Sequence, residues 1–335
     1  MKQFPRIFDC FTFSTELDLL AFRLDLLAHV VDQFVIVEAP RTHSGLDKPL
    51  IFEENRHRFE RHLAQIVHII VDDLPPPEPD RWVPENFQRN AILRGLLDAD
   101  PDDIAVITDV DEIPDPEVLE QLRRESFETA SLEMRISFYF ANWELAETWG
   151  RARAARVSAL SSPHDLRVAE PLLRVANAGC HIAYLMSPPD IARKYSWFAH
   201  AELDRPIDRA SRYLESMVRL GLVAHTGEAL AVHSRAELGP VQQALLAQSP
   251  EHFRFTPPPA ALRRLGQKWR RLRSRPSVPA RQVRRFDVSS GWRRPRWVPI
   301  LSWQIVDRGD AILARLIDLA GRRRPRKGLA IEEQQ

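Results

Sequence analysis

Four continuous apolar runs separated by segments of helical periodicity restrict this chain to an α/β architecture. Ile7 to Phe13, Phe34 to Glu38, Ile66 to Val71 and Ile104 to Thr108 read as strands. Between the first two, Leu17, Leu20, Leu24 and Leu27 recur at helical spacing behind Thr15 and Asp18, which are placed to cap the helix. A second helix is predicted over about 85–97, with Phe87, Ala91, Leu93 and Leu96 on its buried side. Asp115-Pro116-Glu117 then starts a third helix, a cap followed by proline at the first helical position. Strands that are apolar throughout are covered on both faces, so the pattern predicts a mostly parallel sheet with helices on both sides. Ligands of such sheets gather at the carboxyl ends of the strands, where Asp9, Glu38, Asp72 and Asp109 are expected.

The fourth run leads directly into Asp109-Val110-Asp111-Glu112-Ile113-Pro114. With one residue between them, two aspartates on an extended chain point to the same side, and Pro114 is expected to end the strand. Paired carboxylates at a strand end suit a divalent cation and the diphosphate that it neutralises. A bare Asp-x-Asp arises often by chance, so its neighbours have to carry the reading.

A chain of 335 residues has room for one large domain with an appendage, or for two domains. Cys10 and Cys180 are too few for a disulfide framework and are expected as free, core-packed thiols in a reducing compartment. Neither a signal peptide nor a membrane span is legible, which gives a cytoplasmic expectation. The net charge of +1 conceals an asymmetry: residues 262–328 carry 20 Lys or Arg against four acids. From about Pro257 the periodicity gives way to proline, arginine and tryptophan. The expected division is a catalytic domain over 1–245 and a basic extension over 246–335.

The chain resembles glycosyltransferase family 17. The stretches that carry the resemblance include Phe8 to Phe13, Glu16 to Leu20, Phe34 to Glu38, Thr42-His43-Ser44-Gly45, Phe87-Gln88-Arg89-Asn90 and Asp109 to Pro114. Asn142-Trp143, Asn177-Ala178-Gly179, His181, Lys194 and Phe198-Ala199-His200-Ala201-Glu202 continue it in the same order. Thr15 stands where the family has asparagine, and Cys180 where it has tryptophan. The resemblance implies a GT-A-like, Rossmann-type fold and inverting transfer of a sugar from a nucleotide diphosphate donor, with a divalent cation, manganese or magnesium. It implies a bacterial-type member without a membrane anchor, and N-acetylglucosamine from its uridine diphosphate as the donor sugar. A glycan or lipid-linked saccharide is the implied acceptor.

Within that expectation Asp111 is the direct metal ligand and Asp109 a second ligand or a contact to the ribose. His200 is the candidate third ligand, with His181 and His233 competing, since an imidazole beside carboxylates favours manganese. Arg89 and Lys194 are candidate diphosphate partners, as a forked donor and a point charge. Glu38 is expected either at the nucleotide base or ribose, or as a helix-cap partner. Inversion needs a carboxylate to take the acceptor's proton, for which Glu202 and Asp165 are the candidates. Glu112 is expected to pack or to cap the following turn. Trp143, Trp149, Tyr184 and Trp197 offer flat apolar faces for sugars or for the core.

Leu265 to Arg275 and Arg281 to Arg296 interleave arginine with Trp269, Trp292 and Trp297, and Asp310 to Leu319 reads as a short amphipathic helix ending before Gly321 and Arg322-Arg323-Arg324. This composition suits an anionic membrane surface, making the protein peripheral at the inner face, or else a solvated tail. Nucleic acid is the less coherent partner. Two other readings compete: a metal-dependent phosphoesterase, and an inactive transferase-fold adaptor that binds a membrane or nucleic acid through its basic end.

Overall fold

The computed structural model describes residues 4–206, 208–273 and 308–319. They fall into two compact units. The first, residues 4–204 and 230–257, contains a ten-stranded sheet. Its strands are β1 (Ile7–Thr12), β2 (Gln33–Glu38), β3 (Ile66–Ile70), β4 (Ile104–Asp109), β5 (Glu112–Pro114), β6 (Thr129–Phe138), β7 (Trp143–Arg156), β8 (Leu173–Val175), β9 (Gly179–Ala183) and β10 (Ala231–Val232). Along the chain run α1 (Leu17–Leu27), α2 (Ile51–Glu54), α3 (Trp82–Asn90), α4 (Pro116–Arg124), α5 (Pro163–Val168), α6 (Pro188–Trp197), α7 (Ser211–Leu220), α8 (Pro240–Gln248) and α9 (Ala260–Arg273), of which α7 and α9 belong to the second unit.

The sheet is mixed, not mostly parallel. Its order is β3-β2-β1-β4-β7-β6-β9-β5, with β10 on β7 and β8 on β6. β1 pairs in parallel with β2 and β4, and β2 with β3. Beyond β4 the pairs β4–β7, β7–β6 and β9–β5 are antiparallel, while β6–β9 is parallel. The physical reason is the connection between β6 and β7: only residues 139–142 separate them, and so short a link permits only antiparallel neighbours. Because β2 and β4 lie on opposite sides of β1, the carboxyl ends of β1 and β4 flank the point where the strand order reverses.

Helices cover both faces, as the uninterrupted apolar strands predict. Ile7, Phe11, Ile36, Ile104 and Val106 pack with Leu20 and Leu24 of α1, Phe52 of α2 and Leu119 of α4. Phe8, Cys10, Val35, Val37, Ala105 and Ile107 point the other way, toward Ala91, Ile92 and Leu96 after α3. The helix expected over about 85–97 is α3 followed by a 3-10 segment, Ala91–Gly95. α4 starts as expected, with Asp115 accepting from the Glu117 backbone N–H. Residue 245, the expected end of the first domain, lies inside α8, where Val241 and Leu245 pack with Ile113, Cys180 and Ile182.

In the second unit residues 308–319 are helical, and their Asp310 accepts from Trp269 Nε1 of α9 at 2.7 Å. Leu313 and Ile317 are buried. The Arg281 to Arg296 stretch, Trp292, Trp297, Gly321 and Arg322 to Arg324 lie outside the described residues. Among the described residues no helix is long and apolar enough to cross a membrane.

Candidate active site

Asp109 is the last residue of β4, beside Thr12 at the end of β1, so the first aspartate stands at the switch point of the sheet. The two aspartates do not share one extended strand. Val110 and Asp111 form a turn, after which the chain enters β5 on another part of the sheet, and Pro114 pairs there with Gly179 of β9.

Arg23 of α1 holds this turn from beneath. It donates to the backbone carbonyls of Asp109, Val110 and Glu112 at 3.1, 3.2 and 2.8 Å, and to Thr108 Oγ1 at 2.7 Å. Asp9 fastens the same guanidinium. It is buried in mid-β1 and so is not the strand-end ligand contact that its sequence position suggests.

Asp109 accepts three side-chain hydrogen bonds. Thr12 Oγ1 donates to Oδ1 at 2.8 Å, Arg89 Nη2 to Oδ1 at 3.1 Å, and Arg167 Nη2 to Oδ2 at 3.1 Å. Burial alone would raise its pKa, but Arg167 and Arg89 override it and hold the carboxyl far below the usual range. Arg167 also forks onto Glu112 at 2.6 and 2.7 Å, and Glu112 accepts from the Asp109 backbone N–H and from Trp149 Nε1. Glu112 is therefore a buried brace, in line with its expected packing role.

Asp111 faces the other wall. Lys194 of α6 donates to its Oδ2 at 3.2 Å and to Glu16 Oε1 at 3.0 Å. His181 of β9 brings Nε2 to 3.6 Å from Asp111 Oδ1, and its buried Nδ1 has no hydrogen-bond partner among the described residues. Burial would push Asp111 up and His181 and Lys194 down. Their mutual attraction wins in each case, lowering Asp111 and raising the other two. Tyr184, with the Lys194 ammonium 5.5 Å above its ring, is pushed up to about 12, chiefly by burial.

The other candidates separate. His200 donates through Nδ1 to Glu202 at 2.7 Å and meets Trp82 and Phe198; the imidazole beside Asp111 is that of His181. His233 stands with Glu144. Glu38 is fully buried by Lys48 and the Phe52 backbone N–H, with His68 at 3.3 Å, so the helix-cap alternative describes it and the base or ribose contact does not. Asp165 is exposed in the first turn of α5, two residues before Arg167. Trp143 is buried with Nε1 on the Arg254 carbonyl, Trp149 braces Glu112 and packs on the His181 ring at 4.5 Å, Trp197 lies under Arg193, and Tyr184 lies under Lys194.

Sequence reasoning did not find Thr12, Glu16, Arg23 and Arg167 as site residues. Glu16 opens the Glu16 to Leu20 stretch that carries the family resemblance, but nothing local announces that it shares Lys194 with Asp111.

A divalent cation fits this site only in part. Asp111 and His181 offer the oxygen and nitrogen donors that manganese accepts, at a separation too long for a hydrogen bond. Asp109 already accepts three hydrogen bonds, His200 pairs with Glu202, and among the described residues no group of three His, Cys, Asp or Glu stands ready to hold a metal.

Comparison with known proteins agrees with this picture. The profile of glycosyltransferase family 17 matches residues 1–226, more than half of the chain. The beta-1,4-mannosyl-glycoprotein 4-beta-N-acetylglucosaminyltransferase of Homo sapiens is 29% identical over 170 residues, 48% of this chain and 32% of that protein. Its Rattus norvegicus counterpart is 28% identical over the same shares, and that of Mus musculus 30% over 148 residues, 42% of this chain and 28% of that one. The match thus spans about a third of these relatives' length. With its Asp-x-Asp turn ringed by cations at the switch point of an α/β sheet, the chain belongs to glycosyltransferase family 17.

Proposed function

We propose that this protein is an inverting glycosyltransferase of the GT-A-like type. It moves a sugar, with N-acetylglucosamine from its uridine diphosphate as the leading donor, onto a glycan or lipid-linked saccharide. The observation that carries this reading is the ring of Arg89, Arg167 and Lys194 around the Asp109–Asp111 turn at the ends of β1 and β4. The relatives' names support N-acetylglucosamine.

In the reaction the acceptor hydroxyl oxygen bonds to the anomeric carbon while the bond from that carbon to the phosphate oxygen breaks. The nucleoside diphosphate leaves with the electron pair, and Lys194 and Arg89 are the cations that meet its growing charge. Attack from the face opposite the leaving group inverts the centre. The hydroxyl proton goes to a carboxylate, and Asp165 is favoured over Glu202, whose partner His200 stands against Trp82.

Five carboxylates, Glu16, Glu85, Asp109, Asp111 and Glu112, face only three permanent cations here. A diphosphate adds more negative charge, which supports a role for manganese or magnesium. Asp111 and His181 are the residues that would hold it, and when bound it would supply Lewis-acid stabilisation of the leaving diphosphate. The basic face of α9, with Arg264, Lys268 and Arg271 exposed at i, i+4 and i+7, supports an encounter with an anionic bilayer carrying the acceptor.

The test is calorimetric titration of the full chain with a panel of nucleotide sugars, with manganese and then with chelator, repeated on Asp111→Ala. One donor binding in the presence of manganese and lost in the variant is expected. A folded protein that binds no nucleotide sugar under either condition would sink the reading and leave the adaptor alternative.

A further inference from the structure

We infer that Trp82, bordered by His200 and Glu202, is the stacking platform for the base of the nucleoside diphosphate; this rests on the donor reading above. Two independent elements lead from the diphosphate cations to this spot. On α3, Trp82, Glu85 and Arg89 follow one another at i, i+3 and i+7 and so share a face. At the helical rise Trp82 stands about 10 Å from Arg89, roughly the reach across a ribose from diphosphate to base. On the other wall α6 carries Lys194, and the chain continues through Phe198 to His200, whose ring meets Trp82 edge-on at 4.8 Å.

The platform is both accessible and held. Trp82 is 38% exposed, and the side chains of His200 and Glu202 are 44% and 65% exposed. Tyr195 stacks on Phe198 at 5.7 Å, Phe198 lies 5.2 Å from His200, and Arg81 pairs with Asp204 at 2.9 Å, tying the 200–204 segment to the start of α3. The loop after β2 borders the same side, where the Ser44 backbone N–H donates to the Trp197 carbonyl.

A base fits this chemistry better than an acceptor sugar. Its π-face stacks on an indole, and its ring N–H groups meet a carboxylate such as Glu202. The platform also lies beyond Arg89 and Lys194, on the leaving-group side, whereas the attacking sugar must approach from the opposite face.

The experiment titrates the full chain with uridine diphosphate and separately with inorganic pyrophosphate, both with manganese, in wild type, Trp82→Ala and Trp82→Phe. Trp82→Ala is expected to weaken uridine diphosphate binding on the order of ten-fold while leaving pyrophosphate binding unchanged, and Trp82→Phe is expected to restore most of the loss. Equal weakening of both ligands would overturn the inference, because it would mean a structural disturbance of α3. Unchanged uridine diphosphate affinity, with any effect confined to acceptor KM, would overturn it in favour of a sugar platform. If the wild-type protein binds neither ligand, the donor reading itself fails and the platform falls with it, an outcome separable from the others because the unaltered chain is silent.

Discussion

Arg23 and Asp9 form a bidentate ion pair with no exposed side-chain surface, Nε to Oδ2 at 2.8 Å and Nη2 to Oδ1 at 2.6 Å. The same guanidinium lies 4.3 Å over the Phe11 ring and reaches three carbonyls of the Asp109–Glu112 turn. A pair so placed does more than close a charge in the core: it sets the height and tilt of the turn that carries Asp111.

Replacing Arg23 with Met strands the Asp9 carboxylate and three carbonyls, and the expected loss is about 3–5 kcal/mol of stability. Urea denaturation with a fitted m-value measures it. A loss below about 1 kcal/mol would mean that water or a neighbour takes over these bonds and that the turn stands without Arg23.

Arg167 links Asp109 to the buried Glu112, so Arg167→Met leaves Glu112 charged and uncompensated, at a cost of about 3–5 kcal/mol. The double variant Arg167→Met, Glu112→Gln is expected to recover much of that loss, since the orphaned charge is gone. A double-mutant cycle by thermal unfolding reads the coupling; additive effects would contradict the pairing.

Gly179 opens β9 with φ at +147°, and a Cβ there would lie 2.2 Å from the Ile113 carbonyl oxygen of β5. Gly179→Ala is expected to cost at least about 2 kcal/mol through backbone strain and that clash. Because β5 follows Asp111 directly, donor affinity should fall as well. A melting temperature equal to wild type would show that β5 and β9 separate freely.

Burial pushes the Cys180 thiol up to about 12, against the hydrogen bond from Ser137 that favours the thiolate. Burial likewise raises Cys10. Both thiols should stay unreactive toward a chromogenic disulfide in folded protein at pH 8 and react once denatured. The raised value means that the thiol's contribution to stability is complete below about 9, its unfolded value, and is lost as the pH climbs toward 12. Rapid labelling of folded protein at pH 8 would refute the assignment.

Legibility followed the range of the forces involved. The strands from Ile7, Phe34, Ile66 and Ile104 and the Asp115 cap were readable because uniform burial and capping are written in adjacent residues. β6 also carries a local signal: Ala130, Leu132, Met134, Ile136 and Phe138 are buried and alternate with polar residues, the period-two mark of a strand. The antiparallel half of the sheet follows from it.

The sequence by itself determined an α/β chain, the position of Asp109 and Asp111 at the end of the fourth strand, the buried thiols and the family. Only the tertiary structure decided that Asp109 is locked by Thr12, Arg89 and Arg167, that His181 and not His200 faces Asp111, and that Glu38 is a buried cap partner. Those partners lie many residues apart in the chain, and which arginine meets Asp109 is set by the packing of α3 and α5, which brings the groups within 3 Å or so, a distance that no local pattern encodes.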